Sequence, residues 1–287
     1  MACDLHLHST ASDGGFTPIQ VVDHAHEVGL TTISLTDHDT VAGIRDARTR
    51  AQELGLPFIP GIEMTSVDNN NEIHILGYFL NTEDEKLRET LKKSRRLTLK
   101  RLAMIASLLT ELGYPLTIDE VREMRSGVSL GRPHVAQAMV RRGYVKNTQE
   151  AFERFIGSYG PAYASPIGLG PEEAYKLILE AGGIPAIAHP GQGGRADMMQ
   201  DNDIATHKEW GALAIEVFHP RHDRFMVTYY MKLAQKFGMG VVGGSDCHGT
   251  YYPIILMDRK TVPDWVAEKF FEFYEHYCRK SRMARKK

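Results

Sequence analysis

Cysteine, tryptophan and long apolar runs are scarce in this 287-residue chain, and each scarcity excludes something. Three cysteines, Cys3, Cys247 and Cys278, lie far apart. They rule out a disulfide scaffold and fit a reducing, cytoplasmic setting. No apolar run approaches the ~20 residues that a membrane span requires. The opening MACDLHLHSTASDGG has no basic stretch followed by an apolar one, so no secretory signal is expected. Neither sign of charge dominates: 34 Lys and Arg face 36 Asp and Glu, for a net charge of −2. No global field therefore selects nucleic acid or an acidic membrane. The exception is local, a basic stretch over 279–287, read as a solvated, frayed end. Internal repeats and low-complexity segments are absent too. With 43% apolar and 24% charged residues, the chain has the composition of an ordinary globular protein. Its length suits one large domain or two modest ones. What it does have is 13 histidines, many beside Asp or Glu and several closing apolar runs.

Short β-like runs are predicted over residues 3–8, 32–36, 57–63, 72–80, 184–189, 213–218 and 240–244. Helices are predicted between several of them. One covers 18–28, with Thr17 as N-cap, Pro18 in the first turn and Gly29 as a stop. Others cover 40–54, closing on Gly55, and 171–181, closing on Gly182-Gly183. Strand alternating with helix implies βα units and a mainly parallel sheet; pattern alone leaves barrel and open sheet both open. Residues 81–168 break the rhythm. A long helix is predicted over 83–112, with Leu87, Leu91, Ile105 and Leu108 near helical spacing, and shorter ones over 118–124, 132–142 and 149–155. Because the βα pattern then resumes, this segment reads as a helical insertion in a core made of 1–80 and 169–287.

The chemistry begins at Asp4-Leu5-His6-Leu7-His8. Side chains alternate across a strand, so His6 and His8 share one side and Leu5 and Leu7 the other. Two imidazoles on one face suit a chelating pair, though two polar residues on a solvated face are the plain alternative. In Ser34-Leu35-Thr36-Asp37-His38-Asp39, His38 ends a strand on its polar face. The flanking Asp37 and Asp39 could orient ligands from behind or cap the next helix. Glu63 closes the third run. His74 sits inside an apolar strand, where a lone histidine is more often a satisfied core residue. His189 ends an apolar run just before Pro190. Asp246 and His248 repeat the alternating pair of His6 and His8. Each signal is modest alone. Together they put ligand-type residues in or at the ends of six predicted strands, and strand C-termini in βα folds converge on one crevice. His, Asp and Glu without thiolate suit Zn, Mn or Fe, and bridging carboxylates suit two or more cations roughly 3.5–4 Å apart.

The order His6-x-His8, Asp13-Gly14, Asp37-His38-Asp39, Gly-Ile-Glu63, His74, Ala-His189-Pro and Ser-Asp246-x-His248 resembles the polymerase and histidinol phosphatase (PHP) family over nearly the whole chain. The resemblance implies a distorted (β/α)7 TIM-like barrel, here with a helical insertion, and a trinuclear centre of divalent metals (Mn, Fe or Zn). It implies His6, His8, Glu63 and Asp246 on one metal, His74 and His189 with a bridging Glu63 on a second, and Asp13, His38 and His248 on a third. It implies a phosphoesterase using metal-bound hydroxide, with Glu63, Asp246 and His248 in the catalytic centre. The chain looks most like the bacterial members that act on nucleoside 3′,5′-bisphosphates and on RNA or oligonucleotide 5′ ends. The features are the insertion after the His74 strand, Gly131-Arg132-Pro133-His134 within it, and Ile215-Glu216-Val217-Phe218-His219-Pro220.

Arg132 and His134 are candidates for a phosphate remote from the metals, since the planar fork of Arg matches phosphate oxygens. A surface ion pair for Arg132 and a buried capping role for His134 are the alternatives. Lys100, Arg101 and His219 are further candidates at the mouth, whereas the basic 92–96 group reads as a solvated face. Arg195, in a Gly-rich loop, reads as part of a connector. No membrane and no obligate protein partner are expected. An amidohydrolase-type C–N hydrolase would want a lysine at a strand end, and none is predicted there. A non-catalytic metal-binding protein is disfavoured by the full ligand set.

Overall fold

The computed structural model describes residues 1–125, 127–249 and 255–284, with side chains through residue 280. The strands are β1 (Ala2–Leu7), β2 (Leu30–Leu35), β3 (Phe58–Asp68), β4 (Asn71–Tyr78), β5 (Ile184–Ile187), β6 (Ala214–Phe218), β7 (Gly240–Gly243) and β8 (Val262–Pro263). The α-helices are α1 (Pro18–Glu27), α2 (Ile44–Leu54), α3 (Glu85–Glu111), α4 (Ile118–Glu123), α5 (Arg132–Arg141), α6 (Thr148–Ala151), α7 (Pro171–Glu180), α8 (Asp201–Trp210), α9 (Arg224–Phe237) and α10 (Trp265–Ala284).

The strands form one mixed sheet in the order β7-β6-β5-β4-β3-β2-β1-β8. Its two ends meet. The Asp246 N–H donates to the His6 carbonyl at 2.9 Å and the His8 N–H to the Cys247 carbonyl at 3.1 Å. These bonds draw the segment after β7 alongside β1 and nearly close a barrel, with helices around it. Gly244 makes the approach possible: a Cβ there would fall 2.2 Å from His6 Cβ.

The expectation of a mainly parallel sheet needs one correction. β1, β2 and β3 are parallel, as are β5, β6 and β7; the short edge strand β8 is antiparallel to β1, and β4, inside the sheet, is antiparallel to both its neighbours. The cause is a two-residue hairpin. Asn69 and Asn70 both take positive φ, 47° and 63°, the conformation of a tight primed turn that Asn tolerates. β3 therefore runs on to Asp68 and doubles back instead of ending at residue 63.

Helix ends follow the local chemistry. Thr17 accepts from the Gln20 N–H while the Gln20 side chain accepts from the Thr17 N–H, a reciprocal cap with Pro18 in the first turn. α2 starts four residues later than expected, after Gly43, and ends on left-handed Gly55. The last predicted insertion helix is α6 followed by a π-helical turn, Phe152–Ile156.

Helix α3 ties two cores together. Leu87 and Leu91 pack with Ile62, Met64 and Ile75 of the barrel, whereas Leu102, Ile105 and Leu109 pack with Val121, Val135, Met139 and Phe155 of the inserted helices. At the far end of the chain, α10 buries Phe270, whose ring meets Tyr78 edge-on at 5.1 Å. Residues 251–254 and the end of the basic tail lie outside the described residues.

Candidate active site

A cavity of about 470 Å³ opens where β1, β2, β5 and β6 end and the insertion arches over them. Its floor is built around one carboxylate. Glu63 is fully buried, and five imidazoles converge on it. Oε2 lies 3.2 Å from His6 Nε2, His8 Nε2 and His38 Nδ1. Oε1 lies 3.0 Å from His74 Nδ1 and His189 Nε2. Asp246 Oδ1 stands 3.1 Å from His8 Nε2 and 3.6 Å from His6 Nε2, and Asp13 Oδ1 stands 3.5 Å from His248 Nε2. The strand ends are locally strained to reach this arrangement: Asp39, His189 and Asp246 hold φ of 50°, 26° and 54°, costly for residues with a Cβ and typical of functional sites.

Among the described residues, the donors form three groups whose ligand atoms lie within 4.8 Å of one another: His6, His8, Glu63 and Asp246; His8, Asp13, His38 and His248; and His38, Glu63 and His74. His8, His38 and Glu63 each belong to two groups, and His189 joins the floor through Glu63. Many of these atoms are buried with no hydrogen-bond partner: His6 Nε2, His8 Nε2, Asp13 Oδ1, His38 Nδ1, Glu63 Oε2 and Asp246 Oδ1. Each such orphan costs about 1–3 kcal/mol. Donors 3.0–3.6 Å apart are at the spacing set by a cation about 2.0–2.2 Å from each. The donor set therefore fits divalent cations.

The same crowding sets the charge states. Burial opposes ionisation of Glu63, but the imidazoles of His38, His6 and His74 outweigh it and hold the carboxyl well below the usual range. Burial likewise opposes charge on His8, yet Asp246 and Glu63 push it up to about 10. Burial dominates at His38, which falls to about 4.

A second layer sets the tautomers. Glu216 accepts from His6 Nδ1 at 2.9 Å, Glu72 from His74 Nε2 at 3.2 Å, and the Asp246 carbonyl from His248 Nδ1 at 2.9 Å. In each ring the other nitrogen is left as the lone-pair donor toward the floor. Asp37 takes the Ser9 N–H and the Ser12 hydroxyl, both at 2.7 Å, and so shapes the turn carrying Asp13. Asp39 caps no helix; its Oδ1 takes the Thr65 N–H at 3.0 Å.

The expected substrate contacts divide. Arg101, Arg132 and His219 line the cavity. Lys100 does not: one position before Arg101 on α3, it turns outward and is exposed. His134 does not either. It is buried, and its Nδ1 accepts the Gly131 N–H at 3.1 Å, which is the capping alternative. Arg195 pairs with Asp223 on the surface. Two site residues escaped the sequence reading, Glu72 and Glu216. Glu72 lies two positions before His74 on the same strand face, and Glu216 is a lone acid in an apolar strand; both were visible signals. Glu72 also pairs with Arg101 and, at 3.3 Å, with Arg132, so one carboxylate joins the floor to the inserted helices.

The family model for the PHP domain matches residues 4–161, more than half of the chain. The chain belongs to the PHP family. A 5′-3′ exoribonuclease of Haemophilus influenzae is 31% identical over 245 residues, covering 85% of this chain and 89% of that protein. A 3′,5′-nucleoside bisphosphate phosphatase of Chromobacterium violaceum is 30% identical over 246 residues, covering 85% and 86%. Among solved structures, a metal-dependent phosphoesterase of Bifidobacterium adolescentis superposes with a TM-score of 0.86 at 27% identity, over 94% of this chain and 95% of that one. Like those relatives, this PHP protein is a metal-dependent phosphoesterase, and the cavity over Glu63 is where its PHP motifs meet.

Proposed function

We propose that this chain hydrolyses the terminal phosphate esters of nucleotides, either a nucleoside 3′,5′-bisphosphate or a 5′-phosphorylated oligoribonucleotide. The observation that carries the reading is the set of orphaned donors around Glu63 beneath a rim bearing Arg101, Arg132 and Arg221. Cation-binding atoms below and guanidinium groups above suit a substrate rich in phosphate.

Three divalent cations, Mn, Fe or Zn, would be held by His6, His8, Glu63 and Asp246, by Glu63, His74 and His189, and by Asp13, His38 and His248. When bound, they supply Lewis acidity to the phosphoryl oxygens and lower the pKa of water. The protein's own side chains do the rest. Glu216 and Glu72 hold His6 and His74 in one tautomer. His219 accepts the Arg221 N–H at Nδ1, so its proton sits on Nε2, 3.6 Å from Asp246 Oδ2, within reach of a leaving oxygen in the cavity. Arg132 grips a second phosphate. The inserted segment 81–168 acts as a cap on a barrel made of 1–80 and 169–287, excluding water from the floor. The reaction is read as cytoplasmic; among the described residues no helix is long and apolar enough to cross a membrane. Among the described residues no lysine lines the cavity, which speaks against amidohydrolase-type C–N chemistry. The test is release of inorganic phosphate, against release of ammonia, from bisphosphonucleotides and 5′-phosphorylated oligoribonucleotides with added Mn²⁺. Ammonia without phosphate overturns the reading.

A further inference from the structure

Beside the catalytic cavity runs a second depression that the proposed chemistry does not use. A groove of about 510 Å³ lies between the start of α2 and the first half of α3, lined by Arg45, Arg88, Arg95 and Val128 among others. It shares two walls with the catalytic cavity. The Asp39 side chain faces the cavity, while its carbonyl accepts from Arg95 Nη1 at 2.7 Å and Thr40 lines the groove. Ser129 lines the cavity and its neighbour Val128 the groove. The groove continues into a smaller one of about 270 Å³ that shares Arg45, Thr82 and Glu83 and adds Arg48.

The charge of this track is unbalanced. Among the described residues Glu83 is the one acid lining either groove, and it pairs with Arg88. Arg95 is half-buried and makes no ion pair among the described residues; burial pulls its pKa down, only partly opposed by Asp39. Arg48 has no carboxylate partner among them either, and the Arg45 contact with Asp46 at 3.4 Å joins two exposed side chains. An exposed contact of that kind contributes little. By contrast, Arg122, Arg141, Arg142 and Arg154 of the insertion are all paired. A half-buried guanidinium without a counter-ion is unfavourable unless an anion arrives to meet it. Among the described residues no aromatic side chain lines either groove, so no stacking surface for bases is offered there and the arginines suit an anion that repeats.

We propose that this arginine track binds the phosphodiester backbone of a single-stranded oligonucleotide whose 5′-terminal nucleotide occupies the catalytic cavity. The inference rests on the nucleotide-phosphoesterase reading and deepens it, favouring a chain end over a mononucleotide as substrate. Binding along the track is sequence-independent and sensitive to salt, as backbone contacts are.

The test compares wild type with Arg45→Ala/Arg48→Ala and with Arg48→Glu. The last lies on the exposed face of α2 and disturbs no half-buried group. Two measurements are made on each protein. One is kcat/KM for a 5′-phosphorylated oligoribonucleotide of roughly ten residues and for a nucleoside 3′,5′-bisphosphate. The other is anisotropy of the same oligonucleotide, labelled at its 3′ end, on chelated protein from about 50 to about 200 mM salt. The expected result is an about tenfold loss on the oligonucleotide with the bisphosphate unchanged, and a salt slope smaller by about 0.7 per contact removed. Equal behaviour of variants and wild type on both substrates, with unchanged anisotropy, overturns the track. If neither substrate is hydrolysed but the variants still weaken oligonucleotide binding, the track stands and the hydrolytic reading fails.

Discussion

Glu216 accepts the Nδ1 proton of His6 at 2.9 Å, with both side chains fully excluded from solvent and 210 residues apart in the chain. The other carboxylate oxygen takes the His189 N–H at 2.6 Å. One buried acid thus sets the tautomer of His6 and the path of the strained turn carrying His189. Glu216→Gln keeps the shape but can present an N–H to Nδ1, which turns the His6 proton toward Nε2, the atom facing Glu63. Cation affinity should fall by about 10–100-fold, read by titration with Mn²⁺ and elemental analysis. Unchanged stoichiometry and affinity would leave Glu216 a packing residue.

Glu63→Gln should cost more. The carboxylate faces five imidazoles, and neutralising it removes charge from every position it borders. Loss of at least one equivalent of metal together with activity is expected. Full metal content by inductively coupled plasma analysis, with activity retained, contradicts the bridging role.

Arg132 is tied to Glu72 at 3.3 Å and lies 5.7 Å from the Phe152 ring centroid, so it is held at the rim rather than free. Arg132→Ala should lower kcat/KM on a nucleoside 3′,5′-bisphosphate by one to two orders of magnitude, about 1.5–3 kcal/mol for a charge-assisted contact. p-Nitrophenyl phosphate, which has no second phosphate, should be barely affected. Equal losses on both substrates would assign Arg132 to the fold or the metals.

Cation binding should release protons. His8, pushed up to about 10 by Asp246 and Glu63 against its burial, holds a proton at neutral pH when no cation is present. A cation must expel it. Affinity for Mn²⁺ should therefore rise between about pH 6.5 and about pH 8.5, by up to about tenfold per unit for each proton displaced. Calorimetry in buffers of different ionisation enthalpy counts those protons, and a buffer-independent heat would count none.

Away from the site, His207 accepts the Tyr175 hydroxyl at 2.6 Å, and burial lowers its pKa to about 4. Above its ordinary value of 6.5 both folded and unfolded states are neutral. As pH falls below that value the unfolded chain takes up a proton that the folded chain refuses, so stability drains away until about pH 4. The contribution is on the order of 3 kcal/mol. His207→Gln should be less stable than wild type at neutral pH, with the gap narrowing on acidification. Parallel denaturation curves across that range would exclude the linkage.

Much of the site was legible because its residues are organised locally. The alternation His6-Leu7-His8 places two imidazoles on one face whatever surrounds them, whereas Asp246 and His248 lie beyond the end of β7, with Asp246 at a φ of 54°, and are aimed at the floor by that turn. Pro18 after Thr17, and Gly55 at the end of α2, mark boundaries through their own backbone limits. Tertiary structure decided what depends on contacts between distant segments. The reversal of β4 rests on two Asn residues adopting positive φ in a turn whose pairing partner could not be read from periodicity. Lys100 and Arg101 are adjacent, and only the direction in which α3 packs sends one outward and the other to Glu72. Glu216 meets His6 because closure of the barrel sets β6 and β1 around one floor. Side-chain periodicity follows from the dihedral angles of each residue, whereas a partner 210 positions away exists only once the sheet has curled.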